Sequence, residues 1–405
     1  MKANRKRVVV TGLGITTCLG SDVDTFFNNL VGAECGIRSH ADIPDNPVGL
    51  IDYQSSDYFS KSKLFTMDRV SQLAVIASKQ AVKSASLSDL GSSGTGVLYG
   101  CSLGGANTLE ETFGTYYGAV KAPKKLSIPM AMVHAPAAQV SIHLGVYGEC
   151  QSYSTACSSS AVAIGEGFRR IRDGYLSVAI TGGAECMLVN SVIKEWKKLG
   201  VLAKSNGSPS LGCRPFTKDR NGFHLSEGAA TLVLEEYEHA KNRKAVILAE
   251  IVGYGVSNDG LHITKPDAYG QSVAINNALD DASLDSSDIK YINSHGTSTV
   301  AGDRAEANSI RKVFGDLTNS IPVSATKSSH GHAIGAVGAI EAVITIKAIQ
   351  ESVIPPTPFV DHIDPEASLN LVMGSPKRVD SISYAISNSF AFGGNNAVLV
   401  FGKYS

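Results

Sequence analysis

The chain has 405 residues, 43% hydrophobic and 18% charged, and its 36 Lys+Arg against 37 Asp+Glu leave a formal charge of −1. That is the composition of a globular protein with ample core material, and it excludes a generally basic nucleic-acid binder and a supercharged tail, leaving room only for a local basic patch. No run of about 18 uninterrupted apolar residues occurs, which argues against a transmembrane helix.

Taken in chain order, the first predicted element is a buried strand at 8–11 entering a Gly loop. The basic MKANRKR before it and the VVVTGLGITTCLG that follows have the outline of a secretory signal ending at Cys18. Three glycines and three threonines make that a weak apolar region, so the strand is preferred. Gly12-x-Gly14 lacks the third glycine of the dinucleotide fingerprint and gives no cofactor signal. Val70, Leu73, Ala74, Ala77 and Ala81 fall at helical spacing and predict an amphipathic helix over 67–85. A strand follows at 96–99. Ala161, Ile164, Phe168 and Ile171 predict a helix over 158–172. Strands are expected at 178–181 and 230–235, then a charged boundary at 241–244. Beyond it come strands at 246–252, 291–293 and 322–325, a helix over 338–350 that is apolar nearly all round, and strands at 383–388 and 397–401. Several strands lack polar alternation, as expected when both faces are buried. Strands alternating with helices give an α/β class. VAITGGAE at 178–185 and AISNSFAFGGNNAVLVF at 385–401 both run an apolar strand into a Gly-rich turn, which suggests a duplicated unit.

The seven cysteines are Cys18, Cys35, Cys101, Cys150, Cys157, Cys186 and Cys213. Their odd number and the lack of CxxC spacing argue against a disulfide framework or a zinc ribbon. Free thiols suit a reducing cytoplasm. Cys157, in YSTACSSS, stands at the start of the 158–172 helix, where the positive end of the helix dipole is expected to lower a thiol pKa and prepare a nucleophile. Its competing reading is an inert buried Cys in a small-residue turn. His295 in INSHGTS and His332 in KSSHGH each follow a strand, and loops leaving strand ends in an α/β sheet converge on one crevice. Neutral imidazoles there can donate hydrogen bonds to a developing oxyanion, with a nearby Lys to orient them. Each His alone is equally a turn residue bonded to backbone.

His330 and His332 with Cys157 and His295 also raise a zinc reading, weakened by the absence of a local acidic or Cys partner. Gly100-Cys-Ser-Leu-Gly104 matches the nucleophile elbow of a hydrolase, with Ser102 as nucleophile; the alternative is a turn lining a pocket. NSFAFGGNN at 388–396 offers backbone N–H groups near two glycines for an oxyanion hole, or simply a tight turn into the last strand.

Together these segments resemble the β-ketoacyl-acyl-carrier-protein synthases, most closely the elongating synthase II type, across nearly the whole chain. The opening RVVVTGLGITTCLG, STACSSS, RPFTKDRNGFHLSEGAA with Glu227, NSHGTSTVAGDRAE, TKSSHGHAIGAVGAIEA and NSFAFGG occur in the family's order. The resemblance implies a thiolase-like fold of two similar halves in a five-layered α-β-α-β-α arrangement, divided here as 1–244 with the nucleophilic Cys and 245–405 with the two His. It implies Cys157 as acyl acceptor, His295 and His332 as decarboxylation and enolate-stabilising residues, and Lys327 and Glu306 as supports. Backbone N–H groups of Cys157 and Phe392 would form the oxyanion hole, Phe392 would gate access, and Leu109 would line the acyl tunnel. No cofactor and no catalytic metal are implied.

The implied partners are acyl- and malonyl-loaded acyl carrier protein and a second chain, either an identical copy or a chain-length-factor-like subunit. The implied location is cytoplasmic. Phe65 and Thr66 stand where a carrier-binding basic pair is common, so Lys61, Lys63, Arg69, Lys124, Lys125 and Lys204 are the candidate substitutes. Other departures are Ala391 for a Gly before Phe392, expected to stiffen the loop because Ala resists positive φ, Asn395 for Thr, Val300 for Pro, and a histidine at 330. These departures fit a specialised catalytic ketosynthase of a type II polyketide or polyene system. Three further readings are a chain-length factor, which Cys157 argues against, the Ser102 hydrolase, and a degradative thiolase-type enzyme.

Overall fold

The computed structural model describes residues 5–40, 43–92, 94–118, 124–204 and 208–404; part of the basic opening, 1–4, lies outside them. Its main sheet contains β1 (Val8–Thr17), β2 (Thr95–Gly100), β3 (Cys150–Tyr153), β4 (Val178–Glu185), β5 (Gly228–Glu236), β6 (Ala249–Asn258), β7 (Ile289–Asn293), β8 (Val323–Ser324), β9 (Tyr384–Phe390) and β10 (Asn395–Gly402). The order is β8-β7-β9-β10-β6-β1-β5-β4-β2-β3.

The two sides of this sheet repeat one another. β3, β2 and β4 pair in parallel, and β4, β5 and β1 antiparallel. β8, β7 and β9 pair in parallel, and β9, β10 and β6 antiparallel. The sides meet where Val8–Val10 run antiparallel to Ala249–Ile251. The sequence suggests a duplicated unit; the strand order and pairing senses display one.

Helices fill three layers. α1 (Arg69–Ser84) covers β1 and β5, with α3 (Ala135–Leu144) beside it. α4 (Ser159–Arg172) touches β2, β4 and β5 on one side and β6 and β10 on the other, so it lies between the two sets of strands. α8 (Val337–Glu351) packs on α4, β5 and β9, and twelve of its fifteen residues are buried, as its uniformly apolar sequence requires of a middle layer. α6 (Ala268–Ala282) covers β6 and β10 and carries α7 (Val300–Phe314). The arrangement is five-layered, α-β-α-β-α.

Three element boundaries differ from expectation. β1 runs on through Gly12 and Gly14, which read as a loop in sequence. A Cβ on Gly12 would meet the Ala81 carbonyl oxygen at 2.2 Å and one on Gly14 the Ala77 oxygen at 2.0 Å. These glycines exist so that α1 can lie against the strand, not to break it. The strand expected at 246–252 begins at Ala249 and extends to Asn258. The charged stretch at 241–244 ends a short helix, Tyr237–Asn242, whose Arg243 pairs with buried Glu235. The edge strand β3 was not foreseen, because CQSY carries no apolar run.

Candidate active site

Cys157 lies on the turn Ala156–Ser158 directly before α4 and is buried. Ala156 holds φ +50°, a strained conformation that presents the next side chain at the helix mouth. The serines after it do not cap α4 as their type suggests. Ser159 Oγ instead accepts from Thr155 N–H at 2.9 Å and donates to the Ala156 carbonyl at 2.7 Å, and Ser158 Oγ donates to the Thr155 carbonyl at 2.9 Å. They brace the turn that holds the sulfur.

His295 leaves the C-terminal end of β7, and His332 follows the short helix Lys327–His330 after β8. β7 and β8 are adjacent and parallel, so both imidazoles arrive at one crevice. The Cys157 sulfur and one nitrogen of each imidazole lie within 4.8 Å of one another. The rings of His295 and His332 meet edge-on, with centroids 5.5 Å apart.

The proton positions follow from the neighbours. Lys327 Nζ donates to the His295 carbonyl and sits 3.3 Å from His295 Nδ1, and it forms a fully buried ion pair with Glu341. An ammonium cannot accept, so Nδ1 of His295 accepts and its proton resides on Nε2. Nε2 of His295 and both nitrogens of His332 are buried without a hydrogen-bond partner among the described residues. Burial, and next the Lys327 charge, hold both imidazoles well below the usual histidine range, so they are neutral. Glu306 fixes the His295 turn by accepting from the N–H groups of His295 and Gly296, each at 2.7 Å; burial raises its pKa.

The thiol corrects an expectation. Burial pushes Cys157 up to about 12, outweighing the lowering by the Lys327 charge and by the N–H groups of Phe392 and of Cys157 itself. Cys157 rests as a thiol, and the helix N-terminus does not overcome the dry surroundings.

The zinc reading meets the same electrostatics. The three ligand atoms are close enough to share an ion, yet the Lys327 ammonium 3.3 Å from His295 opposes a dication there. His330 turns away: its Nε2 lies 3.0 Å from Thr326 Oγ1 and its ring faces Phe26, and burial lowers it to about 3.

Phe392 heads the turn Phe392–Gly394. Ala391 before it sits at φ −111°, and the positive φ values fall on Gly393 and Gly394. Ala391 thus avoids positive φ in this conformation, and the expected stiffening concerns only a swing away from it. The Phe392 ring stacks on Trp196 (5.9 Å, 21°), Trp196 meets Phe223 edge-on, and Phe223 meets His332 at 4.8 Å. Trp196, the single tryptophan of the chain, lies on α5 (Asn190–Leu199) and was not singled out in sequence; its rarity was the signal on offer. A cleft holding about 800 Å³ of empty space, open to solvent, reaches Cys157, His295, His332 and Phe392 past Thr297 and Thr299.

Other candidates separate. Ser102 donates its hydroxyl and its N–H to the Glu185 carboxylate, not to an imidazole, so the elbow reading fails. Leu109 is half-buried on α2 (Ala106–Tyr117) and is not among the residues lining this cleft. Arg69 does not belong to a surface patch. Its guanidinium forms a two-pronged pair with buried Glu227, donates to the Ile51 carbonyl at 2.6 Å and lies over Tyr53. Lys61, Lys63, Lys125 and Lys204 are exposed, and exposed Lys124 pairs with Glu111 at 2.6 Å.

Comparison with known families identifies the chain as a whole. Residues 5–240 match the model of the beta-ketoacyl synthase N-terminal domain, and 248–361 that of its C-terminal domain. The chain belongs to the beta-ketoacyl synthases. It is 38% identical to 3-oxoacyl-[acyl-carrier-protein] synthase 2 of Staphylococcus aureus (strain N315), over 99% of each chain. Its fold superposes on a beta-ketoacyl synthase from Burkholderia phymatum STM815 with a TM-score of 0.93 at 35% identity, covering 99% of this chain and 100% of that one. The ishigamide ketosynthase/chain length factor superposes with a TM-score of 0.91 at 32% identity, with the same coverage. This beta-ketoacyl synthase thus has the thiolase-like architecture expected from sequence.

Proposed function

We propose that this chain is an elongating β-ketoacyl-acyl-carrier-protein synthase, catalysing a decarboxylative Claisen condensation in fatty-acid or polyketide biosynthesis. The observation that carries the reading is one buried thiol whose sulfur lies within 4.8 Å of a nitrogen on each of two neutral imidazoles, with His295 Nε2 and both His332 nitrogens free of hydrogen bonds among the described residues.

Each group has a task. The Cys157 sulfur attacks the acyl thioester carbon of loaded carrier protein; the bond from that carbon to the carrier sulfur breaks, the carrier leaves as a thiol with the proton that Cys157 gives up, and an acyl-Cys157 thioester remains. Malonyl carrier protein then occupies the cleft. Loss of carbon dioxide leaves its electron pair on the thioester as an enolate. His295 Nε2–H and His332 donate to the enolate oxygen, which a neutral imidazole does without surrendering a proton. Lys327 keeps His295 in that tautomer, and Glu306 keeps its turn in place. The enolate carbon attacks acyl-Cys157. The oxyanion formed lies between the N–H groups of Cys157 and Phe392, then collapses to expel the Cys157 sulfur and release a β-ketoacyl chain two carbons longer.

Ala106, Met187, Ile193, Phe223 and Ile334 belong to one buried apolar cluster with Cys157, a setting suited to an acyl chain, with Leu109 assigned further along its route and Phe392 as the gate. Lys61, Lys63, Lys124, Lys125 and Lys204 are the proposed contacts for acidic carrier protein. Residues 1–244 are assigned to the nucleophile's half and 245–405 to the half with the two His. A dimer is proposed through edge strand β3 and exposed Ile142 and Tyr147 on and just after α3, which packs beside it. The second chain is a copy of this one or a chain-length-factor-like subunit; the likeness to the ishigamide ketosynthase/chain length factor supports the second and, with it, a specialised polyketide or polyene pathway. Cytoplasmic location is proposed from the free thiols; no helix among the described residues is long and apolar enough to cross a membrane.

The test is mass spectrometry after mixing the protein with acyl carrier protein carrying medium-chain or polyenoyl groups, with and without a partner subunit. The expected result is an acyl increment on Cys157, absent in Cys157→Ala, which malonyl carrier protein discharges as a chain two carbons longer. A bare Cys157 under every condition overturns the reading.

A further inference from the structure

Glu185 ends β4 in full burial and has no hydrogen bond to Cys157, His295 or His332 among the described residues. Its carboxylate collects donors from two other loops. From the turn at 100–104 it accepts the Ser102 hydroxyl, Ser102 N–H at 2.8 Å and Leu103 N–H at 3.3 Å. From the turn Ile334–Ala336, three residues past His332, it accepts Gly335 N–H at 3.1 Å. Every partner is a donor and none is an acceptor. Such a shell holds the ionised form, although burial raises the pKa of the group.

The packing around the carboxylate has no slack. A Cβ on Gly335 would come within 2.5 Å of Glu185 Oε2 and 2.7 Å of Ser102 N. One on Gly100 would meet the first turn of α4, 2.4 Å from Ser160 N, and one on Gly183 would meet Ser160 Cβ at 2.5 Å. Ile334, next to Gly335, is held at φ +33°. The His332 turn is therefore strained, and His332 itself has no side-chain bond to hold it. Its backbone is tied on the near side, where its N–H donates to the His224 carbonyl at 2.8 Å and its carbonyl accepts Ser226 N–H at 3.1 Å, which leaves the strained turn that follows it to be held from elsewhere.

We propose that Glu185 is a positioning residue for condensation: its carboxylate clamps the 100–104 turn and the Ile334–Ala336 turn together and so sets His332 against the sulfur of Cys157. This gives the Gly-Cys-Ser-Leu-Gly segment a role as one jaw of the clamp. The inference rests on the ketosynthase reading, because it assigns His332 to the malonyl half-reaction.

The half-reactions separate the clamp from plain structural support. Acyl transfer to Cys157 uses the sulfur and backbone N–H groups, whereas decarboxylation and condensation need His332 placed. In Glu185→Ala, single-turnover discharge of acyl-Cys157 by malonyl carrier protein should fall about 100-fold, the cost of misplacing a reacting group by roughly 1 Å. Loading of Cys157 from acyl carrier protein should fall less than about 10-fold on the same scale. Glu185→Gln, with its amide oxygen at the Oε2 position, keeps the bonds to Ser102 and Gly335 and should restore most of the discharge rate. If Glu185→Ala does not fold, Ser102→Ala removes a single donor and should show the same imbalance in smaller measure. Equal loss in both half-reactions, or no loss, overturns the clamp. Failure of the wild-type protein to load Cys157 overturns the ketosynthase reading instead.

Discussion

Cys157, His295 and His332 are buried, and burial sets their protonation. Three buried imidazoles, His295, His330 and His332, are depressed chiefly by burial. A histidine held neutral in the fold but free to protonate when unfolded gives stability above its unfolded pKa of about 6.5, and that stability is lost as pH falls toward the folded value. For His330 the window runs from about 6.5 down to about 3. At pH 5.5 this one residue should cost ~1.4 kcal/mol relative to pH 7.5 and above. His330→Asn removes the penalty without touching the catalytic pair, so its urea midpoint should drop less between pH 7.5 and pH 5.5 than that of the wild type. Equal drops would show that His330 is not buried neutral. Glu341 and Asp303, both raised by burial to about 7, shift stability in the opposite direction but are common to both proteins, so the difference isolates His330.

Among elements, α1 shows how local signals and long-range contacts share one residue. Asp68 caps α1 through Val70 N–H at 3.0 Å, and its other oxygen accepts Thr108 N–H at 2.8 Å and Thr108 Oγ1–H at 2.6 Å on α2. Asp68→Ala should therefore lose a cap, worth about 1 kcal/mol, and leave a buried N–H unpaired, worth about 1–3 kcal/mol more. A urea midpoint lowered by about 2–4 kcal/mol equivalent is expected, with α2 the first element to exchange amide protons. A loss near the cap value alone would mean that α2 is held elsewhere. Helical spacing in 67–85 foretold α1 to within two residues; nothing in it announced that the cap would reach 40 residues along the chain to Thr108.

The whole molecule leaves one face unfinished. Edge strand β3 pairs with β2 alone, and Ile142 and Tyr147, 69% and 84% exposed, stand on and just after α3 beside it. An open edge flanked by apolar side chains is a pairing surface. Ile142→Glu with Tyr147→Glu should convert a dimer to monomer in light scattering, or block heterodimer formation with a partner subunit. An unchanged mass would place the interface on another face.

The sequence by itself determined the α/β class, the positions of most strands though not of edge strand β3, the middle-layer character of α8 and the six family segments, because apolar periodicity and local motifs are written in neighbouring residues. It located Cys157, His295, His332, Lys327, Glu306 and Phe392 as candidates. Tertiary structure alone decided what those groups are. Burial makes Cys157 a thiol and the imidazoles neutral. A distant Glu227 takes Arg69 out of the surface patch, and a distant Glu185 takes Ser102 out of contention as a nucleophile. Gly12 and Gly14 become strand because α1 lies against them, and Trp196 comes to stack on Phe392. Desolvation, ion pairing and close approach depend on atoms far apart in the chain, and no window of sequence contains both partners.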